Sequence, residues 1–243
     1  MTENSLKGLS LTIPVQRNAE NYYRWIYSSL RGHIGKKILE IGPGHGNMVP
    51  LIKPDCETYA AIDVDEGVIS FLKDKFKGLP GLYFGTGSVA DPQWREYFKA
   101  HPADTVVSLN VLEHIENPDL FIKQIRAALP QARLVLFVPA LKWLYGSIDK
   151  EAGHYTRFTK KEIRRLFESN GLELEKLSYF NFVGAIGWFV CNRLLNQKVN
   201  SPASGALFRI FDTAVIPVVR FFDGALSLLL GQSIMAVGRP KEK

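Results

Sequence analysis

Short aliphatic and β-branched runs alternate with stretches of helical periodicity from Lys36 to Val138, a pattern that predicts parallel strands joined by crossover helices. The strands fall at Lys37 to Ile41, Thr58 to Ile62, Leu82 to Phe84, Thr105 to Leu109 and Leu134 to Val138. Helices are expected over Asn47 to Ile52, Glu66 to Phe76, Pro92 to Ala100 and Pro118 to Leu129, the last opening on a proline suited to a first helical turn. Five βα units in this order make a doubly wound α/β sheet. Thr159 and Glu162 form a capping-box pair for a helix through Ser169, which Gly171 ends. Leu172 to Leu177 reads as a sixth strand and Ser233 to Val237 as a last one, which makes seven.

The segment before that last strand, residues 181–231, breaks the pattern. It holds six charged residues, Arg193, Lys198, Arg209, Asp212, Arg220 and Asp223, among aromatics and aliphatics. Leu207, Ile210, Phe211, Ala214, Val215, Val218, Phe221 and Phe222 recur at helical spacing, and Pro217 is placed to kink that helix. Two readings stand for this stripe: a helix packed on the domain, or a helical cover over a hydrophobic substrate that also touches a membrane surface peripherally.

With 46% hydrophobic and 22% charged residues over 243 positions, the composition suits one domain spanning 1–243 and burying a large core. The net charge of +6 is spread along the chain, so no basic arm for nucleic acid is expected. Cys56 and Cys191 are far apart and lack metal-binding spacing. Met1 to Arg17 has no signal-peptide pattern, and no apolar run reaches membrane-spanning length. A cytoplasmic setting is the expectation.

The chemistry starts at Glu40-Ile41-Gly42-Pro43-Gly44-His45-Gly46, where the first strand turns into a helix. Its glycines allow a tight turn and close approach of a ligand to the backbone. The G-x-G-x-G spacing, with an acid two residues upstream, departs from the G-x-G-x-x-G of dinucleotide sites, and an acid there would repel a diphosphate. That argues against an NAD-dependent oxidoreductase and for a ligand carrying a cationic group. Asp63 ends the second strand about 20 residues later, where a carboxylate can accept both hydroxyls of a ribose; Asp65 is its neighbour and competitor.

The blocks Leu39 to Asn47, Ile62-Asp63 and Ser108-Leu109-Asn110-Val111-Leu112-Glu113-His114-Ile115 together resemble the class I S-adenosylmethionine (SAM)-dependent methyltransferases, in particular the small-molecule group related to the ubiquinone-biosynthesis enzymes. The resemblance extends over residues 18–181 and implies a Rossmann-like fold with helices on both faces and a helical insertion between the last two strands. It further implies SAM as cofactor and S-adenosylhomocysteine as product. Glu40, Gly42, Gly44 and Gly46 would lie along the methionine part, Asp63 on the ribose, and Asn110 against the cofactor through its backbone. Ser88 stands where the family commonly has an acid near the adenine, with Val89 and Asp91 as further candidates. Asn21 to Ile26 is similar to a helix, within an N-terminal cover over residues 1–35, that folds over the cofactor pocket. Tyr23 and Trp25 are its candidate substrate-side residues.

Methyl transfer from a sulfonium is an in-line displacement that needs no metal, so none is expected; the protein aligns the acceptor and removes its proton where required. Candidates for that work are His114, beside Glu113, and Asp149 and His154, with Arg157 and Trp188 on the substrate side. Residues 153–158 resemble a Gly-His-x-Arg-Tyr pattern of related methyltransferases, with Phe158 in place of the tyrosine. The sequence thus predicts methylation of an O, N or C atom of a small, hydrophobic or lipid-like acceptor. A SAM-binding protein without turnover and a peptide methyltransferase are the alternatives. Nucleic acid is not expected as substrate, because Asn110-Val111-Leu112 stands where an Asn-Pro-Pro-Tyr-like sequence would be required.

Overall fold

A computed structural model describes residues 19–191 and 202–241. The expectations for residues 1–18 and 192–201, Arg193 and Lys198 included, lie outside the described residues.

The sheet strands are β1 (Lys37–Ile41), β2 (Thr58–Asp63), β3 (Leu82–Thr86), β4 (Thr105–Leu109), β5 (Arg133–Pro139), β6 (Leu172–Phe180) and β7 (Ser233–Pro240). They form one sheet in the order β3-β2-β1-β4-β5-β7-β6. β1 to β5 pair in parallel, while β7 runs antiparallel to both β5 and β6. This is the seven-stranded Rossmann-like arrangement the sequence predicts. The reversal of β7 has a consequence for the site: its first residue, Ser233, pairs with Pro139 at the carboxyl end of β5, the edge where open α/β sheets bind ligands.

The helices are α1 (Glu20–Leu30), α2 (Val49–Ile52), α3 (Glu66–Lys75), α4 (Pro92–Ala100), α5 (Pro118–Ala128), α6 (Ser147–Glu151), α7 (Lys160–Ser169), α8 (Phe182–Phe189), α9 (Pro202–Ile210), α10 (Ile216–Val219) and α11 (Asp223–Leu226). Period-two alternation sorts the strand side chains between two cores. Leu39, Ala60, Val106, Leu134 and Leu136 join α4, α5 and α7 on one face; Ile38, Tyr59, Val107, Val135 and Phe137 join α1, α2 and α10 on the other. Thr159 and Glu162 close the expected capping box on α7.

α2 starts at Val49 rather than at Asn47, because Gly46 at φ +68° is still part of the turn. Pro217 acts one turn earlier than the kink expected of it. Lacking an N–H, it cannot continue the regular ladder, and residues Phe211–Val215 immediately before α10 widen into a π-helix.

Asp212, in that π turn, accepts hydrogen bonds from the backbone N–H groups of Tyr22 (2.8 Å) and Asn21 (3.3 Å), and so satisfies the first turn of α1. Asp223 accepts in the same way from Asn181 (2.9 Å) and Phe182 (2.8 Å) at the start of α8. Both acids of the insertion are buried and fasten it to the body of the fold.

Candidate active site

A cavity of about 310 Å³ opens at the carboxyl ends of β1, β2 and β4. At one end is the turn after β1. Gly42 (φ +71°) and Gly44 (φ +52°) line it in the left-handed conformation that only glycine adopts cheaply, and a Cβ on Gly42 would stand 2.3 Å from Cγ2 of Val111. Glu40 and Asp63 face this end. Glu40 is 2% exposed and accepts a hydrogen bond from the Tyr59 hydroxyl. Burial, with the Asp63 charge adding, pushes its carboxyl up to about 7 although the Tyr59 bond opposes the rise. No cation pairs with it among the described residues.

Asp63 is also raised, first by burial and then by Asp65, although the Asp65 backbone N–H donates to it at 3.0 Å. Asp65 is spent elsewhere: it caps α3 by accepting from the N–H groups of Gly67 (2.7 Å) and Val68 (3.4 Å). Of the two aspartates, Asp63 is the one on the cavity wall.

The other end is built by the segment after β4 and the loop around α6. Asp149 is fully buried, and its Oδ1 accepts from Nδ1 of His154 (2.9 Å) and Nε of Arg157 (2.8 Å). Burial alone would raise it, but the His154 bond and the Arg157 charge outweigh burial and hold it below the ordinary carboxylate range. Arg157 also donates to the carbonyl of Ala140 (3.0 Å) and carries the Trp188 ring 4.8 Å from its guanidinium carbon. With Nδ1 occupied, Nε2 of His154 is directed toward Glu113, 3.9 Å away. Glu113 is buried, its carboxyl pushed up to about 7 by desolvation, and its Oε2 has no partner among the described residues. His114 meets His154 edge to face at 4.8 Å; burial and the neighbouring His154 lower it to about 4, so its ring is neutral.

The structure gathers Glu40, Gly42, Gly44, Asp63, Asn110, His114, His154, Arg157, Tyr23 and Trp188 on one wall. It keeps five other predicted residues away from that wall. Trp25 is buried against Phe180, with ring centres 4.2 Å apart, because it sits two positions from Tyr23 and hence on the opposite side of α1. Gly46 faces α3, where a Cβ would fall 2.6 Å from Leu72 and 2.7 Å from Phe76. Val89 is a core residue, and Ser88 is held in the turn before α4, donating its N–H to Asp91 (2.8 Å) and accepting from Ala90 (3.3 Å). Asp149 is absent from the cavity lining and holds two residues of that lining, His154 and Arg157.

Asn110 is on the wall at φ +53°, but its N–H already donates to Phe137 (2.7 Å), so its backbone offers a carbonyl rather than a donor. Tyr22, Met48, Gln232 and Ser233 also line the cavity without having been singled out in the sequence as site residues. Gln232 and Ser233 arrive through the reversal of β7, which leaves no mark on residue pattern.

Ligand atoms of Glu113, His114 and His154 lie within 4.8 Å of one another, donors of a kind that holds metal ions. The 3.9 Å from Nε2 of His154 to Glu113 would have to contract to reach the roughly 3.4 Å expected between neighbouring ligands of a tetrahedral zinc.

Comparison with known proteins places the chain. Residues 16–177 match the model of a methyltransferase-domain family, and the chain belongs to that family. By family and by strand order it is a class I SAM-dependent methyltransferase. Among curated proteins it is similar to ribosomal RNA small subunit methyltransferase A of Geobacter sulfurreducens, 28% identical over 88 residues; the match covers 36% of this chain and 32% of that protein, about a third of its length. Among solved structures, a SAM-dependent methyltransferase from Archaeoglobus fulgidus superimposes with a TM-score of 0.55 at 18% identity, over 89% of this chain and 94% of the other. The magnesium protoporphyrin IX methyltransferase of Synechocystis PCC 6803, solved with bound S-adenosylhomocysteine, gives a TM-score of 0.51 at 16% identity, over 67% and 76%. At these identities the structural likeness speaks for the fold.

Proposed function

We propose that the protein transfers a methyl group from SAM to a nucleophilic atom of a small hydrophobic or lipid-like acceptor. The observation that carries this reading is the polarity of the cavity: an unpaired buried acid and a glycine turn at one end, a histidine held by a carboxylate at the other. Glu40, desolvated and without a cation of its own, is complementary to the ammonium of a methionine moiety; the Gly42 turn admits that moiety against the backbone, and Asp63 accepts from ribose hydroxyls. The sulfonium, when bound, supplies an electrophilic methyl carbon and leaves as a neutral thioether.

The chain's own residues orient and deprotonate the acceptor. Asp149 fixes the His154 ring with its proton on Nδ1, so Nε2 takes the acceptor proton as the acceptor lone pair forms the new bond to carbon. Neutral His114 buttresses that ring. Arg157, neutralised by Asp149 and roofed by Trp188, gives the acceptor end a polar floor under an apolar lid. The apolar insertion behind Trp188 favours a hydrophobic acceptor over nucleic acid.

Calorimetric titration with SAM, S-adenosylhomocysteine and NAD tests the cofactor half, with binding of the first two and not the third expected. Asp63→Ala should weaken SAM binding with the fold retained. A screen of apolar acceptors with labelled SAM tests the rest: methylation of ribosomal RNA in place of every apolar acceptor would overturn it.

A further inference from the structure

The helical run from Leu207 to Phe222 is apolar on two sides. Phe208, Phe211, Ile216 and Val219 turn inward and pack with the core under α1. Leu207 and Ile210, three apart, and Val218 and Phe221, again three apart and two steps of four further on, turn outward with Phe222 and are exposed. The outward stripe continues past α11 through Leu228 and Leu229, the latter 80% exposed. An ordinary surface helix has one apolar stripe; this one has a second, and a contiguous exposed apolar face of this kind marks a contact surface.

The charge pattern identifies the contact. Among the described residues of the insertion four are charged, and both acids, Asp212 and Asp223, are buried and consumed by the backbone N–H groups of Asn21, Tyr22, Asn181 and Phe182. The charges left at the surface are Arg209 and Arg220. An apolar face whose own exposed charges, among the described residues of the insertion, are arginines complements an anionic lipid surface, into which aromatic and leucine side chains sink while guanidinium groups meet the headgroups. No described helix is long and apolar enough to cross a membrane, so the fitting mode is to lie on it. α8 joins this face to the site: Trp188 lines the cavity while Ile186, two residues away, is exposed.

We infer that the face formed by residues 207–229 is a docking surface for an anionic lipid bilayer, Arg209 and Arg220 contacting headgroups and Phe221, Phe222, Leu228 and Leu229 entering the acyl boundary. That the acceptor is met at this bilayer rests on the function proposed above; the docking does not.

The test is co-sedimentation of the full chain with phosphatidylcholine vesicles, with and without phosphatidylglycerol. The chain should pellet with the anionic vesicles, less so as salt is raised. Phe221→Ser with Leu229→Ser, and separately Arg209→Glu with Arg220→Glu, should lower partitioning at least tenfold while SAM binding, read by calorimetry, stays unchanged. Failure of the wild-type chain to pellet overturns the inference. A dimer in sedimentation velocity that Phe221→Ser dissociates, without vesicle binding, would assign the face to a second copy instead. Vesicle binding together with no methylation of any lipid-borne acceptor would leave the docking standing and remove the acceptor proposal.

Discussion

Oδ1 of Asp149 lies 2.9 Å from Nδ1 of His154 and is the group that decides which ring nitrogen faces the cavity. The same oxygen neutralises Arg157 at 2.8 Å, so one carboxylate sets both the tautomer of the proposed base and the charge beneath the proposed acceptor position. In Asp149→Asn the ring loses its ionic anchor and Arg157 is left buried without its counter-charge. Turnover should fall by about 10²-fold or more with SAM affinity unchanged, and stability should fall by about 3–5 kcal/mol. His154→Ala separates the two effects: the same loss of turnover, measured with labelled SAM, should come without the large drop in melting temperature. Near-wild-type turnover in His154→Ala would remove it as the base.

If Glu40 meets the ammonium as proposed, SAM affinity should depend on pH. Its carboxyl is raised to about 7 by burial, so in the free protein a falling pH neutralises it at and below that value. An ammonium ligand favours the ionised form. Affinity should therefore be full above pH 7 and weaken as pH falls through 7 toward 5, approaching tenfold per unit. Calorimetry in buffers of different ionisation heat should show proton release on binding at pH 6 and little at pH 8. Glu40→Gln should flatten both dependences. The same raised carboxyl destabilises the unliganded fold, a cost absent below the ordinary carboxylate range and fully present above 7, so Glu40→Gln should melt higher at pH 8 while binding SAM more weakly.

Much of this arrangement was legible in the residues. β1 and β4 have the bounds expected of them, because strands buried on both faces are mainly aliphatic and stand out as short runs. The glycine turn and Asp63 stand out because tight turns and strand-end acids are local features. Strand ends set by partners were not legible: β3 extends to Thr86 because Thr86 pairs with Asp63, and β6 runs on to Phe180 past a bulge between Leu174 and Lys176 to match β7. Tyr23 and Trp25 looked alike as helix aromatics, and only the phase of α1 against β6 separates wall from core. Of the stripe singled out from Leu207 to Phe222, only Phe211 and Val215 are not exposed; the packed side of that helix is carried by neighbouring residues one step out of phase.

The Glu113, His114 and His154 group bears on metal dependence. Nε2 of His154 lies 3.9 Å from Glu113, a distance suited to an acceptor atom or water between them and wide for two ligands of one ion. Dialysis against a chelator should leave turnover within about twofold of the untreated enzyme, since the proposed base, His154, relies on its Asp149 anchor rather than on an ion. Loss of activity restored by zinc or manganese would reassign the three residues as metal ligands.

The two outer glycines of the turn share a left-handed backbone but face different neighbours, which separates cofactor binding from packing. Gly46→Ala drives a methyl between Leu72 and Phe76 inside the α3 layer. With about 1–2 kcal/mol for a non-glycine residue in that conformation, plus the repacking, it should lower stability by roughly 2–4 kcal/mol while the folded fraction keeps its SAM affinity. Gly42→Ala carries the same backbone cost but meets Val111, a cavity residue, at 2.3 Å. It should weaken SAM binding by tenfold or more. Val111→Ala added to Gly42→Ala removes the atom that clashes, so it should recover most of the affinity but not the backbone share of the lost stability. If Val111→Ala recovers no affinity, the Gly42 methyl must obstruct the ligand directly, and the glycine is then required for contact with the cofactor rather than for the shape of the wall.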